Sequence, residues 1–219
     1  MISKLPRWIW AGAWALALVA GMVNVVGLLG FEHQAVTHLT GTTSLLAAAL
    51  GARDLTAALH LAAMIGSFLA GTVLSGLIVQ DSVLQLDRRY GAALGLESLL
   101  LCGAVPLLER HSIWGMYCAS CACGLQNAMV STYSGAVVRT THLSGMFTDL
   151  GIFLGHALRG LPVDARRLRL CTLIISGFLA GGVAGAVAFH RLGYPALFIP
   201  GGLVAAAALA YGIRPVRGG

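Results

Sequence analysis

Charge is scarce in this sequence. Only 10% of its 219 residues are Asp, Glu, Lys or Arg, against roughly 25% in a soluble domain, which needs them to keep its surface wet. With 58% hydrophobic residues and a mean hydropathy of +0.84, the chain cannot cover itself with side chains that favour water, and a soluble fold is excluded. Basic residues outnumber acidic ones, 14 to 8, but they stand in ones and twos between apolar runs. They read as signals of membrane topology, and no nucleic-acid partner is expected.

Enzyme signatures are missing as well. The chain has no Gly-x-Ser-x-Gly elbow, no His-Glu-x-x-His, no phosphate-binding Gly-x-x-x-x-Gly-Lys and no dinucleotide fingerprint before a helix. Cys102, Cys118, Cys121, Cys123 and Cys171 lie in apolar segments without the paired spacing and polar surroundings of a zinc site. Cys118-Ala-Ser-Cys121 has the spacing of a redox pair, but no acidic or basic activator stands beside it. The expectation is therefore no catalytic residue, no metal and no cofactor, with the thiols acting as small apolar groups.

What is present is hydrocarbon in long runs. Six stretches can span a core of about 30 Å at about 1.5 Å per residue: Trp8 to Gly30, Leu55 to Val79, Tyr90 to Leu108, Ile113 to Ser134, Leu170 to Phe189 and Leu192 to Ile213. The first lacks a small-residue cleavage site after a short core, so it reads as a retained helix rather than a signal peptide. Thr37 to Gly51 and Thr141 to Gly155 are apolar and helix-like, but only about 22 Å long by the same rise. The expected fold is an all-α polytopic membrane protein, six long transmembrane helices plus two short membrane-embedded ones. It forms one integral membrane domain over residues 1–219.

The short segments also carry an internal repeat. Thr37-His-Leu-Thr-Gly41 returns as Thr141-His-Leu-Ser-Gly145, and Leu50-Gly51 as Leu154-Gly155. Gly21-x-x-Asn24 answers Gly124-x-x-Asn127, and Phe68-Leu-Ala-Gly71 answers Phe178-Leu-Ala-Gly181. Four matches in one order point to a duplicated unit, with repeats over about 8–108 and 113–213. Small residues four apart, Ser67, Gly71 and Ser75 in one copy and Gly177, Gly181 and Gly185 in the other, each form one helix face suited to close packing in lipid. These two faces are expected to meet each other near a pseudo-symmetry axis.

Lys and Arg counts place both termini in the cytoplasm whether the short segments cross the membrane or dip into it and return. Crossing gives eight spans and parallel repeats; dipping gives six and inverted repeats. Extended residues such as Val138 to Thr141 add about 13 Å to a 22 Å helix, and this favours eight.

A helix that starts inside the membrane leaves its first N–H groups without intrahelical partners, and Thr40 and Ser144 are residue types that cap such ends. Gly41 and Gly145 let another group approach the backbone. The helix starts, with Arg139 and His142, therefore form the expected site for a small polar or anionic solute. Glu97 and Asp149 are acids inside membrane segments, which are costly there and suited to carrying a coupling proton, with Arg139 as ion-pair partner. His38 is paired with His142 by the repeat, and Asn24, Gln126 and Asn127 are suited to hydrogen bonds between helices.

The Gly21-Met-Val-Asn-Val25 run, Thr40-Gly41, Gly124-Leu-Gln-Asn-Ala128 and Arg139-Thr-Thr-His-Leu-Ser-Gly145 followed by Asp149 carry a resemblance. Over nearly its whole length the chain resembles the YoaK-like bacterial membrane proteins. It departs from their pattern at Asn24, where members have an acid, and at Thr42, where they have Asn. The resemblance implies a polytopic inner-membrane protein and no established activity. The functional expectation is a small-solute transporter or channel of the bacterial inner membrane. The alternative is a scaffold or sensor that binds a partner protein. Lipid is the certain partner, and a homo-oligomer is compatible with either reading.

Overall fold

The structure is a computed structural model and describes residues 7–79, 88–133 and 140–212. Among these residues the regular structure is helical: α1 (Arg7–Leu29), α2 (Leu39–Gly51), α3 (Leu55–Val79), α4 (Arg88–Glu109), α5 (Ile113–Tyr133), α6 (Leu143–Leu158), α7 (Ala165–Leu192), and a 3-10 turn (Tyr194–Leu197) leading into α8 (Phe198–Gly212). The last helix was expected to run unbroken from Leu192. Gly193, at φ +70°, ends α7, and Pro195, which cannot donate an amide hydrogen bond, sits in the 3-10 turn. At its other end α7 starts five residues earlier than expected, because Asp164 caps it, its carboxylate accepting from the amides of Arg166 (3.0 Å) and Arg167 (3.2 Å).

Among the described residues, five helical spans are long and apolar enough to cross a membrane: Trp10–Leu29, Leu55–Val79, Arg88–Glu109, Ala165–Leu192 and Tyr194–Tyr211. The sixth expected span, α5, has the length, 21 residues or about 32 Å, but is more polar. Its position explains this. Ala119, Ser120, Ala122, Cys123, Leu125, Gln126 and Met129 are all buried, so α5 stands among other helices and needs little lipid-compatible surface. Many large apolar side chains on the outer helices point outward, Leu59, Leu77 and Leu99 each about 70% exposed, a surface suited to lipid.

Glycine sets the main contacts. A Cβ at Gly71 of α3 would fall on the carbonyl oxygen of Cys121 in α5, and one at Gly124 of α5 on that of Phe68 in α3. The same happens between α1 and α7: Gly181 meets the Leu18 carbonyl and Gly21 the Phe178 carbonyl. Without side chains between them the helix backbones touch, the close packing that association in lipid requires. The two small-residue faces therefore do not meet each other as expected. Ser67, Gly71 and Ser75 belong to the helix that packs on α5, whereas Gly177, Gly181 and Gly185 pack on α1.

These contacts fix directions. Along α1 and α7, Trp14 meets Gly177, Leu18 meets Gly181 and Met22 meets Gly185, so the two helices are parallel. Along α3 and α5, His60 meets Tyr117, Met64 meets Ser120 and Phe68 meets Gly124, so these are parallel too. Between the pairs the sense reverses: Gly27, near the end of α1, faces Met116 near the start of α5, while Gln126 Nε2 donates to the Leu16 carbonyl at 2.7 Å. The first helices of the two matched halves are thus antiparallel, which overturns the parallel arrangement favoured by segment length. The chain after α1 does not run extended through the core. It turns at Gly30 to His33, where His33 takes φ +51°, and returns to Asn24 at Thr37.

Each short helix consequently starts inside the bundle and runs to one end. α2 leads through the tight turn at Arg53 and Asp54 into α3, whose early residue His60 lies at the end where α1 finishes, 3.5 Å from Glu32. α6 leads into the start of α7, at the opposite end.

Candidate functional site

The starts of α2 and α6 open on one cavity of about 460 Å3. Thr37, His38, Leu39 and Thr40 line it from one helix, Thr141, His142, Leu143 and Ser144 from the other, with Phe68 of α3 and Asn127 and Ser131 of α5 completing the wall. Two segments far apart in sequence are held in matching ways. Asn24 Oδ1 accepts from the Thr37 amide at 3.1 Å and from its hydroxyl at 2.8 Å, and Asn127 Oδ1 accepts from the Thr141 hydroxyl at 3.2 Å. An amide side chain on a long helix thereby fixes the residue two positions ahead of each short one. Asn24 and Asn127 do tie segments together as expected, but Asn127 also faces the cavity, a role that spacing alone did not indicate.

The caps differ from the expected ones. His38 and His142, not Thr40 and Ser144, occupy the N-cap positions, and neither caps through its side chain. Thr40 and Ser144 fall two residues further in, within the first turn, where their carbonyls accept from the hydroxyls of Ser44 and Thr148 at 2.9 Å each. Each histidine ring instead folds over the glycine three residues on. A Cβ at Gly41 would strike Cδ2 of His38, and one at Gly145 would strike Cδ2 of His142. The group that these glycines admit to the backbone is thus the chain's own imidazole. No intrahelical acceptor exists for the amides of the first turn of either helix, so each start carries partial positive charge toward the cavity.

The remaining expected residues lie elsewhere. Arg139 is outside the described residues. Asp149 is one turn and a half along α6 and away from the cavity, where both its carboxylate oxygens accept from Arg167 Nη2, at 3.2 and 3.0 Å. Arg167 was not foreseen as its partner, since the pairing depends on the α6–α7 contact. Glu97 is buried in α4 beside α5, with Oε2 lacking a hydrogen-bond partner among the described residues, and it does not line the cavity. Thr140, next to the second helix start, is fully buried with its hydroxyl likewise unpartnered, at the position that Val36 takes in the first copy.

Sequence reasoning missed Phe68 and Ser131 as cavity residues, and it missed a cluster at one end of the bundle. There His60 joins Tyr117 (2.9 Å) and Glu32 (3.5 Å), while Phe31 packs on His111 and Tyr194. The five cysteines are free thiols, and among the described residues no group of His, Cys, Asp and Glu could hold a metal ion.

Buried small residues, outward leucines and two helices that begin inside the bundle define a multi-pass helical membrane protein. The chain belongs to the family described as protein of unknown function DUF1275, an uncharacterised family of membrane proteins, which matches residues 12–210. This agrees with the resemblance carried by the repeat motifs. No curated protein and no solved structure matches the chain.

Proposed function

We propose that the protein conducts or transports a small polar or anionic solute across the bacterial inner membrane. In this reading the chain crosses six times, α2 and α6 enter and return from opposite faces, and the halves are an inverted duplication with both termini in the cytoplasm. The observation that carries it is the shared cavity that the starts of α2 and α6 line together, while the two helices end at opposite ends of the bundle. Irregular backbone is tolerated at membrane depth only where protein buries it or where it lines a polar space, and the N-termini of broken helices favour negative charge. Among the described lining residues there is no Asp, Glu, Lys or Arg, and these residues offer hydroxyl, amide and imidazole groups to the solute. The antiparallel relation of α1 and α5 and the reciprocal glycine contacts support the inverted duplication. The acids expected to couple protons stand off the cavity, and transport in this form needs neither to touch the solute.

Proteoliposomes holding the full chain test the reading with chloride, lactate and glycerol as separate probes. Flux of at least one above protein-free liposomes is expected. Asn127→Leu should cut it about tenfold, the equivalent of one hydrogen bond lost from solute or wall. Absence of flux for all three probes removes the transport reading.

A further inference from the structure

The cavity holds two imidazoles and no other titratable side chain among the described residues. His38 and His142 occupy equivalent places, one at each helix start, and neither ring has a hydrogen-bond partner among the described residues. Both are exposed to the space they line. The glycine beneath each ring is required for that pose, because a Cβ would collide with it. The elements packed around the rings present Phe68 from α3 and Asn127 and Ser131 from α5, none of them charged, and the nearest acid on α6, Asp149, is occupied by Arg167. Two histidines set alike over a glycine, each facing the cavity and without a hydrogen-bond partner among the described residues, have the form of a working pair.

Imidazole is the side chain that gains and loses a proton near neutral pH. A cation is poorly served by this cavity, where two positive helix ends meet and no carboxylate stands among the described lining residues. An anion is attracted, but it must then leave a charge-favouring site for hydrocarbon-walled exits. We infer that the solute is a small weak acid, and that His38 and His142 exchange a proton with it in the cavity. The inference rests on the transport reading above and deepens it. The acid's anion enters, an imidazolium N–H passes its proton to a carboxylate oxygen, and a neutral acid and a neutral imidazole result. One N–H bond breaks and one O–H bond forms, no electron pair leaves carbon, and the imidazole regains its proton from hydronium on the entry side, leaving a water molecule. Two histidines in inverted positions let either side of the membrane supply that proton.

Uptake of radiolabelled lactate into proteoliposomes, with lumen pH followed by an entrapped dye and protein-free vesicles as baseline, tests this. Lactate uptake should rise as external pH falls from about 7.5 to about 5.5, and should acidify the lumen. His38→Gln and His142→Gln should each lower it at least tenfold and flatten its pH dependence, with the double variant no worse than additive. Gly145→Ala keeps the imidazole but displaces it, and should lower uptake in protein that still elutes as the wild type. If chloride or glycerol crosses while lactate does not, or if the double glutamine variant retains the pH dependence, the weak-acid inference is overturned and transport stands. If no probe crosses in the wild type, both fall.

Discussion

At the residue scale, glycine does what larger apolar side chains do in a soluble core. Gly181 is placed so that any Cβ meets the Leu18 carbonyl, whereas Gly66 on α3 faces open space. Gly181→Ala should therefore destabilise the protein by about 1–3 kcal/mol, the usual cost of overpacking. Gly66→Ala should be neutral or slightly stabilising, since alanine suits a helix better. Thermal unfolding in detergent, read by the loss of monodisperse protein on size exclusion, separates the two. Equal behaviour would mean that the α1–α7 crossing is not held by backbone contact. The Asp149–Arg167 pair makes the opposite point. Its side chains are 25% and 50% exposed, and an ion pair so open contributes less than about 1 kcal/mol. A double-mutant cycle of Asp149→Asn and Arg167→Gln should find a coupling no larger than that.

At the scale of elements, the two short helices are the informative ones. Their lengths, 13 and 16 residues, give about 20 and 24 Å, too little to cross alone, and their starts and ends are both accounted for by specific contacts. Asn24 and Asn127 hold the starts; the turns into α3 and α7 hold the ends. Since those turns lie at opposite ends of the bundle, single cysteines replacing Arg53 and Arg159 in a cysteine-free variant should react with a membrane-impermeant reagent from opposite sides. Labelling of both from one side would restore the eight-crossing arrangement. Much of this was visible beforehand. The Thr-His-Leu-Thr/Ser-Gly repeat located both helices to within a few residues, because a helix start needs particular residue types at fixed spacing. The capping residue was misplaced by two positions because histidine is a poor cap. Only the space above Gly41 and Gly145, a feature of the folded backbone, shows why it stands there.

At the scale of the whole molecule, the arrangement is a set of exchanges between the two halves: α1 packs on α7, and α3 on α5. Neither half closes its own core. Truncation after α4 should therefore leave a fragment that fails to reach a monodisperse state in detergent, whereas coexpression of the two halves as separate chains should restore it. A stable isolated first half would contradict the exchange of partners seen here.

Composition and hydropathy by themselves determined that this chain lives in a bilayer, where its long helices lie, and that two matched segments interrupt them. Those properties are sums over neighbouring residues, and no tertiary contact is needed to evaluate them. Only the tertiary structure decided that α1 and α5 run in opposite senses, that the glycine face of α3 meets α5 and that of α7 meets α1, and that both helix starts share a cavity while Glu97 and Asp149 do not. Lys and Arg counts are the same for parallel and inverted halves, so charge carries no information on the choice. Which backbone a glycine touches is settled by a partner far away in the sequence, Cys121 for Gly71 and Leu18 for Gly181. That is why the location of the two interruptions could be read from the sequence and their convergence could not.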